Sequence, residues 1–438
     1  MKKLLYFFTL IIGLTSCDDY LEVQPVGQVI PKSVEDYRSF LTSAYSITNL
    51  GKILTSYRSD ELRLNPNASG IEQYEDIFIW NDRNASPLTR SFPYGSFYTI
   101  IFYCNHIIEN QNNIEGDQHS IDQLVGEAYA LRAMQYFELV NLYAKPYDKN
   151  ATNEEPAVPI VTKYDAEKAY PKESLEDVYT QILTDLEEAQ ALVKVSQQEE
   201  GLNYRFSKIA VLAFRARVAL YQQDWEEAIA FSEEALSIKS GIQNLNDNAS
   251  IMPSEYNSVE SILALENVAD LELVAKASIS DDLIAAYDPE SDLRFSLYFE
   301  QYNDGRYHSK KSAQNKFKVS YRTSELYFII AESLAHLNQT DSAKETLLDF
   351  AENMYTPSGF SAYQDFINTL DNESLLTEIL KERRREFAIE GHRWNDLRRT
   401  TQPEIRKTYN GNSYTLEERD ERYTLLLPND AIINNPDL

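Results

Sequence analysis

The chain has 438 residues, of which 43% are apolar and 25% are charged, and its formal net charge is -28 at pH 7. These proportions are typical of a folded globular protein and are too apolar for a disordered one. The negative charge argues against a nucleic-acid-binding protein and against electrostatic docking on anionic lipid, because both need clustered Lys and Arg. We therefore expect a folded chain with no nucleic-acid partner.

The first 16 residues have the features of a secretion signal. Two lysines precede an apolar run from Leu4 to Leu14, which is too short to span a bilayer as a helix, and small residues follow it. The order Leu14-Thr15-Ser16-Cys17 resembles the lipobox of bacterial lipoproteins. The sequence therefore predicts a signal peptide over residues 1–16 and a lipidated Cys17, which would anchor the mature chain to a membrane.

Helical periodicity dominates the remainder of the chain. Ser33 and Asp36 have the spacing of a capping box and predict the start of the first helix. Turn signals without a sustained period follow from about residue 51 to 95, and periodic apolar positions then resume. Alternation typical of strands is confined to short stretches near Ile262–Ala264 and Tyr423–Leu427. We predict a mostly α fold with few short strands.

Helix pairs of tetratricopeptide type recur along the chain. One pattern lies in Ile209–Lys239, and the same spacing of small residues recurs in Ser324–Tyr355. We interpret residues 17–438 as one domain, in which a helical repeat scaffold carries long irregular segments. The predicted pairs lie at about 121–194, 207–239, 324–355 and 375–400, and the irregular segments at about 51–95 and 241–320.

Sequence motifs for catalysis and cofactor binding are missing. The chain has neither glycine-rich phosphate motifs nor a nucleophile elbow, and none of its five histidines lies within four residues of another. We therefore predict no cofactor and no metal. A structural Ca²⁺ ion is left open, although no sequence pattern supports it. The 69 acidic residues include many pairs that could serve a glycosidase, so a surface glycoside hydrolase stays open as an alternative.

The most distinctive stretch runs from Glu378 to Thr400. Its acidic and basic side chains are spaced three or four residues apart, as on one helix face, and a glycine marks a helix end. The stretch could form an arginine-based anion site or a site built from His392, Glu390 and Asp396. We favour a structural ion-pair network, because partly buried Arg and Glu need partners. The residues assigned to it are Arg385, Glu386, Glu390, Gly391, Arg393, Trp394 and Asp396.

Four segments, in this order along the chain, resemble the SusD/RagB family of surface lipoproteins. They are the lipobox at Cys17 with Tyr20–Pro25, then Gly126–Phe137, Glu325–Ser333 and Glu382–Arg398. The resemblance implies a lipid-anchored protein on the outer face of the outer membrane. It also implies a binding protein, not an enzyme, that captures oligosaccharides or peptides and delivers them to a SusC-like TonB-dependent transporter. A helical-repeat scaffold that binds only other proteins is the remaining alternative.

Sugar recognition needs aromatic faces with convergent polar groups, and both irregular segments offer them. We expect Trp80 to be an exposed stacking platform in a loop, whereas Trp225 and Trp394 are expected to pack in the scaffold. The predicted ligand contacts in the first segment are Tyr74, Trp80, Asn81, Arg83 and Tyr94. Those in the second segment are Tyr298, Tyr302, Arg306 and Tyr307.

Overall fold

The computed structural model describes residues 31–163, 165, 168–247, 251–311 and 318–438. The predicted signal peptide, the lipidation site Cys17 and Tyr20–Pro25 lie outside these residues. Helices dominate the described chain, which confirms the prediction of a mostly α fold. Within the described ranges, no helix combines the length and the apolar character needed to cross a bilayer.

The secondary structure alternates long helices with short irregular stretches. The helices are α1 (Val34–Ser46), α2 (Gly51–Arg58), α3 (Glu75–Phe78), α4 (Gly95–Glu109), α5 (Gln118–Tyr143), α6 (Leu175–Leu192), α7 (Lys208–Tyr221), α8 (Trp225–Ile238), α9 (Leu271–Lys276), α10 (Asp281–Ala285), α11 (Leu293–Tyr298), α12 (Thr323–His336), α13 (Thr340–Ala351), α14 (Pro357–Thr369), α15 (Asn372–Glu386), α16 (Arg393–Arg399) and α17 (Asn429–Asn434). The strands are β1 (Leu62–Leu64), β2 (Ser261–Leu263), β3 (Ala277–Ile279), β4 (Phe299–Gln301), β5 (Tyr307–Ser309), β6 (Tyr321–Arg322), β7 (Ile405–Tyr409) and β8 (Asn412–Leu416).

The scaffold consists of helix pairs that pack along their length. α5 packs on α6, α7 on α8 and α12 on α13, while α12 also contacts α8 and α15. Small residues permit these approaches: a Cβ atom added to Gly126 of α5 would lie only 2.9 Å from the backbone nitrogen of Val193, next to the end of α6. The Ser33 and Asp36 capping box forms at the start of α1 as predicted.

Two hydrophobic cores share helix α12. One core contains α1 and α4 to α8, together with Leu326 and Ile329 of α12. The other joins α12 to α15 with the irregular segments and takes Phe328 and Ile330 from α12. Because α12 is buried by both cores, it fixes the loop-rich part of the molecule against the helical repeats.

Short antiparallel strand pairs connect the irregular segments. β1 pairs with β3, β2 with β6, β4 with β5 and β7 with β8. The β1–β3 pairing, with Leu62 opposite Ile279, joins the two segments that were predicted to face a ligand. The strand predicted near Tyr423–Leu427 is wrong, because the chain there forms one short turn and one backbone bond, from Leu425 to Leu142.

Helix α2 is one of the short elements within residues 51–95, a segment that the sequence predicts as long loops. All eight residues of α2 are buried, including Lys52, Thr55 and Arg58. Polar side chains occupy buried positions of this helix, so its sequence lacks an apolar period. Lys52 and Arg58 have partners outside the helix, since Lys52 donates to Glu266 at 2.6 Å and Arg58 pairs with Asp82 at 2.6 Å. Thr55 donates within the helix to the carbonyl oxygen of Lys52 at 3.0 Å.

Candidate functional site

The ion-pair network predicted in Glu378–Thr400 lies in the core of the molecule. Arg322 is its centre, and its guanidinium nitrogens lie 2.6 Å from Glu386, 2.7 Å from Glu260 and 3.0 Å from Glu390. Arg294 forms a second centre, 3.2 Å from Glu386. All these side chains are almost completely buried, so none of them faces a ligand. The structure therefore confirms the structural interpretation.

The other members of the motif also hold the fold together. Arg385 pairs with Glu378 at 2.6 Å, Arg393 with Asp60 at 2.7 Å, and Asp396 accepts from Arg383 at 2.9 Å. Trp394 is buried. Gly391 has a φ of +74°, and a Cβ atom at this position would lie 2.6 Å from the Cβ of Lys52, so glycine is required at this turn.

His392 offers no site with Glu390 and Asp396. Its ring packs on Phe387, and its Nδ1 lies 3.1 Å from the guanidinium of Arg383. Burial and the neighbouring arginines hold the pKa of His392 well below its usual range, so the ring stays neutral. Glu390 is already held by Lys311 at 2.6 Å. The alternative interpretation of the motif is therefore wrong.

Trp80 is a core residue and not the exposed platform that the sequence suggested. Its side chain is 1% exposed, and its indole nitrogen donates to the carbonyl oxygen of Arg58 at 2.9 Å. The ammonium of Lys407 lies 4.3 Å from the centre of the Trp80 ring. Because no face of the ring is open to solvent, Trp80 cannot stack on a ligand in this conformation.

The remaining predicted contacts of the first segment divide into buried and exposed residues. Tyr74 is buried, and its hydroxyl donates to Glu272. Asn81 is half-buried and donates to Asp76 at 2.7 Å. Arg83 is exposed and pairs with Glu421 at 2.7 Å. Tyr74 is therefore corrected to a packing residue, whereas Asn81 and Arg83 lie on or near the surface.

Among its described residues, the second segment contributes one exposed aromatic ring, that of Tyr302. Tyr298 is fully buried beneath the ammonium of Lys311, which lies 3.4 Å from its ring centre, so its predicted ligand contact is also corrected. Tyr302 is 46% exposed and stacks on His308 with ring centres 4.1 Å apart. Arg306 and Tyr307 are half-buried beside it on the same hairpin.

Helix α9 brings the two segments next to each other. Its Glu272 accepts from Tyr74 and lies 3.2 Å from Arg90 of the first segment. Its Val274 carbonyl oxygen lies 3.3 Å from Nδ1 of His308 in the second segment. The exposed Tyr302 hairpin thus borders the first segment through α9, and its ligand contacts stay a prediction.

A second candidate site lies on one face of α4. A cleft of about 610 Å³ opens between this helix, the residues Pro159, Val161 and Tyr170, and α17. We call it the aromatic cleft. Its aromatic and apolar lining includes Tyr94, Tyr98, Phe102, Pro159, Val161 and Tyr170, and its polar lining includes Asn105, Asp430, Asn434 and Asn435.

Hydrogen bonds hold the walls of the aromatic cleft in place. Tyr98 donates to the carbonyl oxygen of Pro159 at 2.9 Å, Asn105 donates to that of Val161 at 2.7 Å, and Asn435 donates to that of Tyr170 at 2.7 Å. The hydroxyl of Tyr94 is buried beside that of Tyr98, and no well-aligned hydrogen bond to it occurs in the described chain. The walls of the cleft are therefore preorganised.

Of the predicted contacts, only Tyr94 lies in this cleft. Tyr98 and Phe102 could have been suspected, because α4 carries more aromatic residues than one buried face needs. No sequence pattern places Tyr170 in the cleft, because it follows a Pro-bearing loop whose folding back onto α4 depends on tertiary contacts. In the described residues, no group of three or more His, Cys, Asp or Glu is arranged to hold a metal ion.

Two family models match the chain at separate places. Residues 19–220 match a SusD-like model described as starch-binding and associating with the outer membrane, and residues 289–435 match the SusD family model. SusD-like protein P38 of Formosa agariphila is 24% identical, over 91% of this chain and 92% of its own. SusD-like protein P2 of the same organism is also 24% identical, over 91% of each chain.

Solved structures that are described as SusD-like share the fold of this chain. A SusD superfamily protein from Bacteroides thetaiotaomicron aligns with a TM-score of 0.78 and 18% identity, over 92% of this chain and 98% of its own. A structure described as a laminarin-binding SusD-like protein aligns with a TM-score of 0.63 and 20% identity, over 84% of this chain and 92% of its own. The family models, the relatives and the helical repeat fold agree, and the chain is a member of the SusD/RagB family.

Proposed function

We propose that this protein captures carbohydrate at the aromatic cleft and delivers it to a SusC-like TonB-dependent transporter in the outer membrane. A lipid on Cys17 would hold it at the outer surface of the cell. The lipobox at the N-terminus and the outer-membrane association in the family description support the anchor. The starch and laminarin named for the family model and for one structural neighbour favour a glycan over a peptide.

The composition of the aromatic cleft is the observation that carries the proposal. Its volume of about 610 Å³ lies within the range of small-molecule sites, and most of its wall is aromatic or aliphatic. Apolar faces of sugar rings pack on such walls, while the amides of Asn434 and Asn435 can exchange hydrogen bonds with hydroxyl groups. The preorganised walls reduce the entropy that binding costs.

Binding without hydrolysis fits this site better than catalysis. Glycoside hydrolysis needs two carboxyl groups on opposite sides of the scissile bond. Asp430 contributes the one acidic side chain among the described residues that line the cleft. A surface glycosidase would therefore need a second carboxyl group from elsewhere, and a binding protein needs none.

Replacement of Phe102 by Ala is expected to weaken glycan binding about fivefold. Phe102 lines the cleft, and 44% of its side chain is exposed, so its loss removes stacking area without opening the core. Aromatic stacking contributes about 1 kcal/mol, which corresponds to that factor. Isothermal titration with starch and laminarin oligosaccharides measures the affinity, and Tyr302→Ala is the matched control. Binding lost in Tyr302→Ala and retained in Phe102→Ala would place the site on the Tyr302 hairpin and contradict the cleft.

Purification of the lipid-anchored protein from native outer membrane is expected to recover a transporter with it. Gentle detergent extraction, followed by native mass spectrometry, measures the masses of the complexes. A stoichiometric partner with the mass of a TonB-dependent barrel supports delivery to a transporter, and Cys17→Ser is expected to move the protein out of the membrane fraction. Recovery of the protein alone would argue against the delivery step, and membrane retention of Cys17→Ser would argue against the lipid anchor.

A further inference from the structure

A second cavity lies on the other face of α4, away from the aromatic cleft. It has a volume of about 70 Å³ and is enclosed by the end of α1, by α4, by α5 and by residues 265–267. Phe97 and Ile100 of α4 line it, whereas Tyr94 and Tyr98 face the aromatic cleft. We call it the inner cavity. Its volume exceeds the space that one water molecule needs and is too small for a sugar ring.

A wider cleft, which we call the mouth, adjoins the inner cavity. The mouth has a volume of about 440 Å³ and shares Tyr45, Ser46, Leu265 and Lys318 with the inner cavity. Tyr204 packs edge-on against Tyr45, with ring centres 5.5 Å apart. A ligand could thus place a small group in the inner cavity while its larger body lies among the tyrosines of the mouth.

Hydrogen-bond acceptors converge in the inner cavity. Glu138 is 9% exposed, and its carboxylate makes no hydrogen bond within the described residues. Gln135 uses its amide nitrogen to donate to the carbonyl oxygen of Leu131 at 3.1 Å, and no described residue donates to its side-chain oxygen. Glu266 accepts from Lys52 through one oxygen, at 2.6 Å. The three side chains together present acceptors to a group that brings donors.

The two carboxylates of the inner cavity are incompletely paired. Glu138 and Glu266 share the ammonium of Lys52, which lies 3.8 Å from Glu138 and 2.6 Å from Glu266. Lys318 lines both the cavity and the mouth but forms no ion pair with either carboxylate in the described chain. Burial raises the pKa of Glu138 to about 7, against the opposing effects of Lys52 and Arg217. A cation beside Glu138 would stabilise its charged carboxylate and offset the cost of burying that charge.

We propose that the inner cavity binds a primary ammonium group. An ammonium has three donors and no acceptor, which matches Glu138, Gln135 and Glu266, and it fits the volume of the cavity. The rest of the ligand lies in the mouth, against the rings of Tyr45 and Tyr204. The group can come from an amino sugar in a glycan or from the amino terminus of a short peptide. This site does not depend on glycan binding at the aromatic cleft.

Titration calorimetry at pH 7 with matched amine and acetylated probes tests the proposal. The probes are fully deacetylated and fully acetylated chitohexaose, and trialanine with a free or an acetylated amino terminus. For at least one pair, the free amine is expected to bind at least tenfold more tightly, as for a hydrogen-bonded charge. The pair that shows the difference identifies the source of the ammonium. Equal affinities within both pairs, or no binding of any probe, would overturn the proposal.

Variants of residues that line the inner cavity test whether the difference in affinity between the amine and the acetylated probe arises there. Glu138→Gln preserves the shape and removes the charge, and is expected to reduce the affinity for the free amine to that for the acetylated probe. Gln135→Met removes one acceptor and is expected to reduce it at least threefold, which gives a second readout if Glu138→Gln fails to fold. Glu290→Gln removes an exposed carboxylate elsewhere and serves as the matched control. Unchanged affinity in both cavity variants would also overturn the proposal.

Discussion

Replacement of Arg322 by Met is expected to destabilise the protein by about 3–5 kcal/mol, because breaking a buried ion pair leaves charge without a partner. Arg322 is 1% exposed and contacts three carboxylates, those of Glu260, Glu386 and Glu390. Methionine has a comparable length but supplies neither charge nor donors. Glu386 would keep Arg294 and Glu390 would keep Lys311, but Glu260 would lose its one ion-pair partner in the described chain and would have to be protonated or hydrated inside the core.

Urea denaturation of the wild type and the variant at pH 7 measures this difference. The matched control is Arg83→Met, which removes an arginine from the pair with Glu421, in which both side chains are more than 70% exposed. Exposed pairs contribute at most about 1 kcal/mol, so the control is expected to unfold at nearly the wild-type urea concentration. Equal stability of the two variants would contradict the role of Arg322 as the centre of the network.

The network could be predicted from sequence because charge spacing on a helix survives without tertiary information. Arg385 and Glu382 are three residues apart, so α15 itself brings them together. The other half of the network could not be predicted in this way. Arg322 lies 64 residues before Glu386, and only the packing of α12 on α15 places them 2.6 Å apart.

The candidate ligand residues, in contrast, could not be predicted from the sequence. Trp80 was placed in a loop by its polar neighbours, yet polar neighbours do not determine whether an aromatic ring is buried. Helix α2 and strand β7 both pack against the loop, and each supplies a polar contact to it, from Arg58 and Lys407. The aromatic cleft was missed because its walls come from three distant parts of the chain, which no local pattern connects.

Trp80→Ala is expected to destabilise the protein by about 3–5 kcal/mol, the usual cost of truncating a buried aromatic residue. Trp80 belongs to a small core with Trp394, Leu397 and Tyr423, so the vacated volume would be bordered by side chains of several elements. The carbonyl oxygen of Arg58 would also lose the indole donor, although Lys407 still donates to it at 2.9 Å. Trp394→Ala is expected to have a similar effect.

Thermal and urea denaturation, combined with glycan titration, separates this structural role from a binding role. Tyr302→Ala is the matched control, because it removes an exposed ring from the hairpin next to α9 and is expected to leave the stability within about 1 kcal/mol of the wild type. Below its unfolding transition, Trp80→Ala is expected to bind glycan as the wild type does. A variant with wild-type stability and lost glycan binding would instead restore Trp80 as a ligand platform and would require the loop around it to open in solution.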